Sequence, residues 1–126
     1  MFVDETAKIK VTLYYKQLPK TGRIQVVSRI GDLGERRLGY SSVTFELRSL
    51  SWKQKNELMR QSRKMNSMQQ SELDWETYRE KLLVSLITKW DAKEGEQPIA
   101  LTPENVLRMN PQVAEALLYE YEHSED

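Results

Sequence analysis

The sequence predicts an α+β fold in which a small antiparallel N-terminal sheet is followed by a mainly helical C-terminal part of four helices. Three observations lead to it. Residues 8–15 and 42–48 alternate apolar and polar side chains, the period of a strand buried on one face. Between Trp75 and Trp90 the apolar residues Trp75, Tyr78, Leu82, Leu83, Leu86, Ile87 and Trp90 recur at helical spacing on one broad face. The period changes near Ser51, and 126 residues suit a single domain, β-rich over 1–50 and helical over 51–126.

The first strand places Ile9, Val11, Leu13 and Tyr15 on one side and Lys8, Lys10, Thr12 and Tyr14 on the other. Pro19 and Gly22 mark a turn, after which 23–30, rich in Ile and Val, reads as the second strand of a hairpin. Gly31, Gly34 and Gly39 among polar neighbours predict a mobile loop. A third strand over 42–48 turns Val43, Phe45 and Leu47 inward, completing a sheet with one face for the helices.

Ser51 offers an N-cap hydroxyl and Gln54 stands at capping-box spacing, predicting a helix through Trp52, Leu58 and Met59 to Met65. Its exposed side carries Lys53, Lys55, Arg60, Arg63 and Lys64, the most basic element of the chain. Residues 66–71 form a polar break before Asp74 caps the central helix, which continues to Trp90 antiparallel to the first. Gly95 and Pro98 interrupt the stretch 91–101. Thr102-Pro103-Glu104 then starts a third helix with Val106, Leu107 and Met109 on its apolar side. Asn110-Pro111 starts the last, with Val113, Ala114, Leu117, Leu118 and Tyr121 at helical spacing and an acidic tail over 120–126 expected to fray.

Composition narrows the function. Hydrophobic residues make up 39% and charged residues 30%, more polar than an average domain, which fits a thin fold with a well-solvated surface. No apolar run approaches the roughly 20 residues of a membrane span, and Met1-Phe-Val-Asp-Glu5 lacks the pattern of a signal peptide. The absence of cysteine removes disulfides, thiolate catalysis and the usual structural zinc sites, so a cytosolic setting is expected. The formal net charge is zero, yet residues 1–64 hold 14 Lys/Arg against 6 Asp/Glu and residues 65–126 hold 5 against 13. That asymmetry favours pairing with a charged partner or with a second copy of the chain, although two differently charged solvated faces would also produce it.

No motif points to catalysis, and a non-enzymatic role without cofactor or metal is expected. The single His123 stands near the C-terminus, where a fixed second shell is hard to provide. Asp91-Ala-Lys-Glu94-Gly95-Glu96 resembles an acidic metal loop only superficially, because Lys93 occupies the place of a calcium loop's second oxygen ligand. A solvated turn is the simpler reading. Neither a phosphate loop nor a nucleophile elbow nor a His-Glu-x-x-His pattern occurs. The basic first half with Tyr14, Tyr15 and Tyr40 could hold phosphates and stack bases, but aromatics at alternating strand positions are more often core or cross-strand partners.

The pattern of the second half resembles the small tail assembly chaperones of long-tailed bacteriophages. The residues that carry the resemblance are Phe45-Glu-Leu-Arg-Ser-Leu50-Ser-Trp52, Leu82-Leu-Val-Ser-Leu-Ile-Thr-Lys-Trp90-Asp91, Gly95, Pro98-Ile99, Leu101-Thr-Pro-Glu-Asn-Val106-Leu107 and the helix from Pro111, about residues 43–121 in all. Residues 8–30 depart from the family pattern. The resemblance implies a protein that binds a long, helical tape-measure client and assists tail-tube subunits to assemble around it. Such a protein works in the cytoplasm of the bacterial host cell. The mechanism would be temporary coverage of apolar helical stripes, with charged rims limiting wrong partners. Candidate partner-binding residues are Trp52, Leu58, Trp75, Tyr78 and Trp90 as apolar anchors and Lys53, Lys55, Arg60 and Arg63 for steering. Each has an alternative in plain packing or solvation. Two other classes stay open: a permanent structural or adaptor protein of the virion tail or neck, and a small nucleic-acid or transcription accessory protein.

Overall fold

The computed structural model describes residues 8–27 and 39–123. Strand β1 (Lys8–Gln17) pairs antiparallel with β2 (Ile24–Val27) across a turn closed by Leu18 N–H to Arg23 O at 2.7 Å and Gly22 N–H to Leu18 O at 2.8 Å. Gly22 sits at φ +70°, a conformation that favours glycine. Residues 28–30 of the expected second strand, and the expected loop through residue 38, lie outside the described residues. On its other side β1 pairs with β3 (Ser41–Arg48), Val11 facing Phe45 and Leu13 facing Val43. The alternation holds along both strands: Val11, Leu13, Val43, Phe45 and Leu47 are buried. On the opposite face the Thr12 and Thr44 hydroxyls meet at 3.0 Å across the ladder.

The expected division into a small N-terminal sheet and a mainly helical C-terminal part is overturned, because the second half of the chain contributes a strand to the sheet. The main sheet has four strands in the order β2-β1-β3-β6, and its fourth strand, β6 (Ile87–Trp90), comes from the stretch expected to be the last turn of the central helix. That helix, α2 (Trp75–Leu86), stops where its C-cap Ile87 turns extended at ψ 116°. Ile87 and Thr88 are β-branched and Trp90 is aromatic, residue types that suit a pleated ladder, and the edge of β3 supplies one. β6 runs antiparallel to β3 with Phe45 opposite Trp90 and a bulge at Glu46/Leu47, where the Thr88 hydroxyl donates to Glu46 O at 3.1 Å. Asp91 closes the pairing: its N–H donates to Thr44 O and its carboxylate accepts from Thr44 N–H at 2.7 Å.

The first helix is also shorter than expected. α1 (Trp52–Gln61) begins with the capping box, Gln54 N–H donating to Ser51 Oγ and Ser51 N–H to Gln54 Oε1. It ends at Ser62, whose hydroxyl donates back to Leu58 O at 2.6 Å and whose carbonyl accepts Asp74 N–H at 2.8 Å. Ser62 is buried, so this one residue both stops α1 and fixes the start of α2. The polar break is the turn of a hairpin, β4 (Arg63–Met65) with β5 (Ser71–Leu73), whose first strand takes the residues expected to end the helix. Its turn is held by the Asn66 carboxamide oxygen, which accepts from Met68 and Gln70 N–H. A second hairpin, β7 (Lys93–Glu94) with β8 (Gln97–Pro98), turns at Gly95 with φ +63°.

Two helices complete the chain. α3 (Pro103–Leu107), capped by the Thr102 hydroxyl, has only five residues, and α4 (Pro111–His123) extends through part of the tail expected to fray. α4 packs against β1 and β2, while α2 contacts α1, α3 and β6. Its buried residues Val113, Leu117, Leu118 and Tyr121 join Tyr78, Leu82, Leu83 and Leu86 of α2 and the inward side of β1 and β3 in one core. The layers are helix on sheet, the arrangement an antiparallel sheet with one apolar face requires.

The Asp74 cap gives a pH test. Its carboxylate accepts from the Thr77 hydroxyl at 2.9 Å and Thr77 N–H at 3.3 Å, and the hydroxyl bond is the main reason its pKa is held below the ordinary carboxylate value. A depressed folded-state pKa contributes stability fully above the unfolded value of about 4, lost as pH falls through the folded value. Asp74→Asn keeps an accepting oxygen without the titration. Thermal melts from neutral pH into acid should therefore converge for wild type and Asp74→Asn as pH falls below about 4. A constant offset at every pH would contradict the linkage.

Candidate functional site

The candidate partner-binding residues fall into three groups. Trp52 and Trp75, in the first turns of α1 and α2, are 79% and 64% exposed. Trp75 stands edge-on to the Tyr78 ring at 5.9 Å and otherwise projects outward. Lys53 and Arg60 share the outward side of α1 with Trp52, and Arg60 is held by Glu57 three residues earlier. These are the candidates the fold leaves available to a partner.

A second group is engaged inside the molecule. Tyr78 is buried in the core, and burial pushes its phenol pKa up. Leu58 is half-buried against the same core. Lys55 is half-buried, its Nζ 5.8 Å from the centre of the Tyr121 ring, a cation–π contact within the chain. Arg63 is exposed but spends its guanidinium on the β4–β5 hairpin, Nε donating to Ser71 Oγ at 2.7 Å and Nη2 to Ser71 O at 2.8 Å.

Trp90 forms the third group alone. It lies in a strand, edge-on to Phe45 at 6.3 Å between ring centres, and its indole N–H donates to Ile99 O at 2.8 Å. The ring thus pins the segment after β8 to the sheet. Beside it opens a cleft of about 820 Å³ bordered by Tyr15, Val43, Trp90, Asn105 and Val113, between the sheet, the β7–β8 hairpin and the last two helices.

Sequence reasoning missed one feature. Trp75, Tyr78, Arg79 and Leu82 of α2 face Glu115, Leu118, Tyr119 and Glu122 of α4 across a groove of about 260 Å³. Tyr119 is 57% exposed and stacks on His123 at 3.9 Å. Arg79 pairs with Glu115, and that hydrogen bond raises the guanidinium pKa further. The only sequence signal was the spacing of Glu115, Tyr119 and Glu122, which reads as an ordinary solvated side until α2 is laid beside it. Among the described residues no group of His, Asp and Glu is arranged to hold a metal ion, and no helix is long and apolar enough to cross a membrane.

Two substitutions test the structural place of Trp90. Trp90→Ala should cost about 3 kcal/mol, the low end for a large aromatic because the ring is only half-buried. Trp90→Phe retains an aromatic edge but loses the bond to Ile99, a loss of about 1 kcal/mol. Urea unfolding at unchanged m-value measures both, and a wild-type midpoint for Trp90→Ala would refute the assignment. In comparison with known proteins, no family model, no curated protein and no solved structure matches the chain.

Proposed function

We propose that the chain is a non-enzymatic tail assembly chaperone of the bacteriophage type, binding a helical, tape-measure-like client, or a tail-tube protein, while the tail is built. The observation that supports this most is the exposure of Trp52 and Trp75. Large aromatics leave water favourably, and burying one ring contributes on the order of 4 kcal/mol before ordering costs are subtracted. Two such rings on helix starts, with Lys53 and Arg60 beside the first, suit an apolar stripe on a client helix. The cations would act through encounter rate more than through affinity. This function places the protein in the cytoplasm of the bacterial host cell.

The same surface would also serve a permanent virion component, and the two readings differ in where the protein ends up. Mass spectrometry of purified particles should find a chaperone absent and a structural protein present in stoichiometric amount. In lysates, wild type should capture the client and Trp52→Ala/Trp75→Ala should lose about 2 kcal/mol of binding or more, roughly 30-fold in Kd. Its unfolding free energy should fall by only about 1–2 kcal/mol, mostly from the lost edge contact of Trp75 with Tyr78, because both rings are mainly in water. Undiminished capture by the double variant would refute the binding surface, and copurification with nucleic acid in place of protein would refute the chaperone reading.

A further inference from the structure

The groove between α2 and α4 has an apolar floor and an acidic side. Leu82 and Leu118 line it, with the exposed rings of Trp75 and Tyr119 at its flanks. Of its charged groups, Arg79 is taken by Glu115, and no ion pair among the described residues engages Glu122. α4 as a whole carries Glu115, Glu120 and Glu122 and neither Lys nor Arg. A ligand for this groove needs an apolar anchor and flanking cations.

The chain carries such a ligand itself. The outward side of α1 presents Trp52, 79% exposed, next to Lys53 and to Arg60 with its partner Glu57, and Lys64 follows in β4, where Arg63 is engaged by Ser71. Lys55 is turned inward over Tyr121, so it is no part of that face. We propose that the α1 face of one copy docks into the α2/α4 groove of a second copy, Trp52 against the apolar floor, Lys53 against Glu122, and Arg60 against Glu115, the last two then sharing their charges with Glu57 and Arg79 of their own copies. The charge imbalance between the two halves of the chain is then the means by which copies find one another. Donor face and acceptor groove are different surfaces, so the contact is heterologous. Exchanged reciprocally about a two-fold it closes as a pair, and repeated head to tail it gives a ring where the rotation closes and an open filament where it does not. This does not depend on the client reading, but where both hold, client and second copy compete for the two tryptophans.

Sedimentation of the full chain tests it. Wild type should associate at low salt and dissociate at about 1 M, where the screening length falls to about 3 Å. Lys53→Glu/Arg60→Glu and Glu115→Lys/Glu122→Lys should each weaken self-association by about 30-fold or more, because like charges then face each other. Mixed in equal amounts, the two variants should recover a 1:1 complex, since each now carries the complement of the other. Circular dichroism melts check that both remain folded, and if either does not, Trp52→Ala and Glu122→Lys alone must each weaken association. A wild type that stays monomeric at low salt overturns the proposal, and so does a mixture that fails to recover. Binding of an unrelated basic amphipathic peptide by a wild type that remains monomeric would also overturn it, assigning the groove to a foreign helix.

Discussion

The pairing of β6 with β3 is the constraint on which the second half of the molecule depends. Four residues after α2 enter the sheet and bring the end of that helix down to its edge. From there the Asp91 contacts to Thr44 fix the exit of the strand, and the Trp90 indole reaches Ile99 beyond the β7–β8 hairpin. The start of α3 is held close by, where the Asn105 amide donates to Ala100 O at 2.9 Å. Arg48, at the end of β3, donates to Ser85 O in the last turn of α2, satisfying a carbonyl that the helix itself leaves open. Local hydrogen bonds and one aromatic edge contact therefore carry the sheet's position into the helices. Each is worth only about 1 kcal/mol net, and their value lies in acting on the same few residues.

This arrangement decides which side chains remain outside. α2 is anchored at its C-terminal end by the sheet, and its middle by Tyr78, Leu82 and Leu83 in the core. Its first turn lies beyond that support, which leaves Trp75 in water. The same holds for Trp52, one residue after its N-cap, since α1 has no fully buried residue and rests on the core only through half-buried ones such as Leu58 and Met59. Two large rings in solvent are a hydrophobic cost that a partner could remove. The proposed client and the proposed second copy both act on that cost, and the charges around it select among partners.

Much of the fold was legible in the residues. Alternation marked β1 and β3 because an antiparallel sheet with one wet face imposes it, and side-chain chemistry at Ser51, Asp74 and Thr102 marked three helix starts. The fourth strand was hidden for a physical reason. No Gly or Pro occurs from Trp75 to Trp90, and Ile87 and Trp90 continue the apolar face of α2 at helical spacing, so only the free edge of β3, far away in sequence, selects the extended form. The β4–β5 hairpin escaped because its turn rests on the Asn66 side chain and on Gln69 at φ +59°, in place of a glycine signal. Of the partner-binding candidates, periodicity could not separate Trp75 from Tyr78, which share a helical face but differ in what lies above them. The acidic groove needed two helices to exist.

The helices depend most heavily on β6 being part of the sheet, and native-state amide hydrogen exchange of residues 87–91 tests this directly. If the strand ties the helices to the sheet, the Asp91 amide, donated to Thr44 O, should exchange with the same opening free energy as the protected amides of β3. Exchange of 87–91 as fast as a frayed helix end, while β3 stays protected, would contradict it.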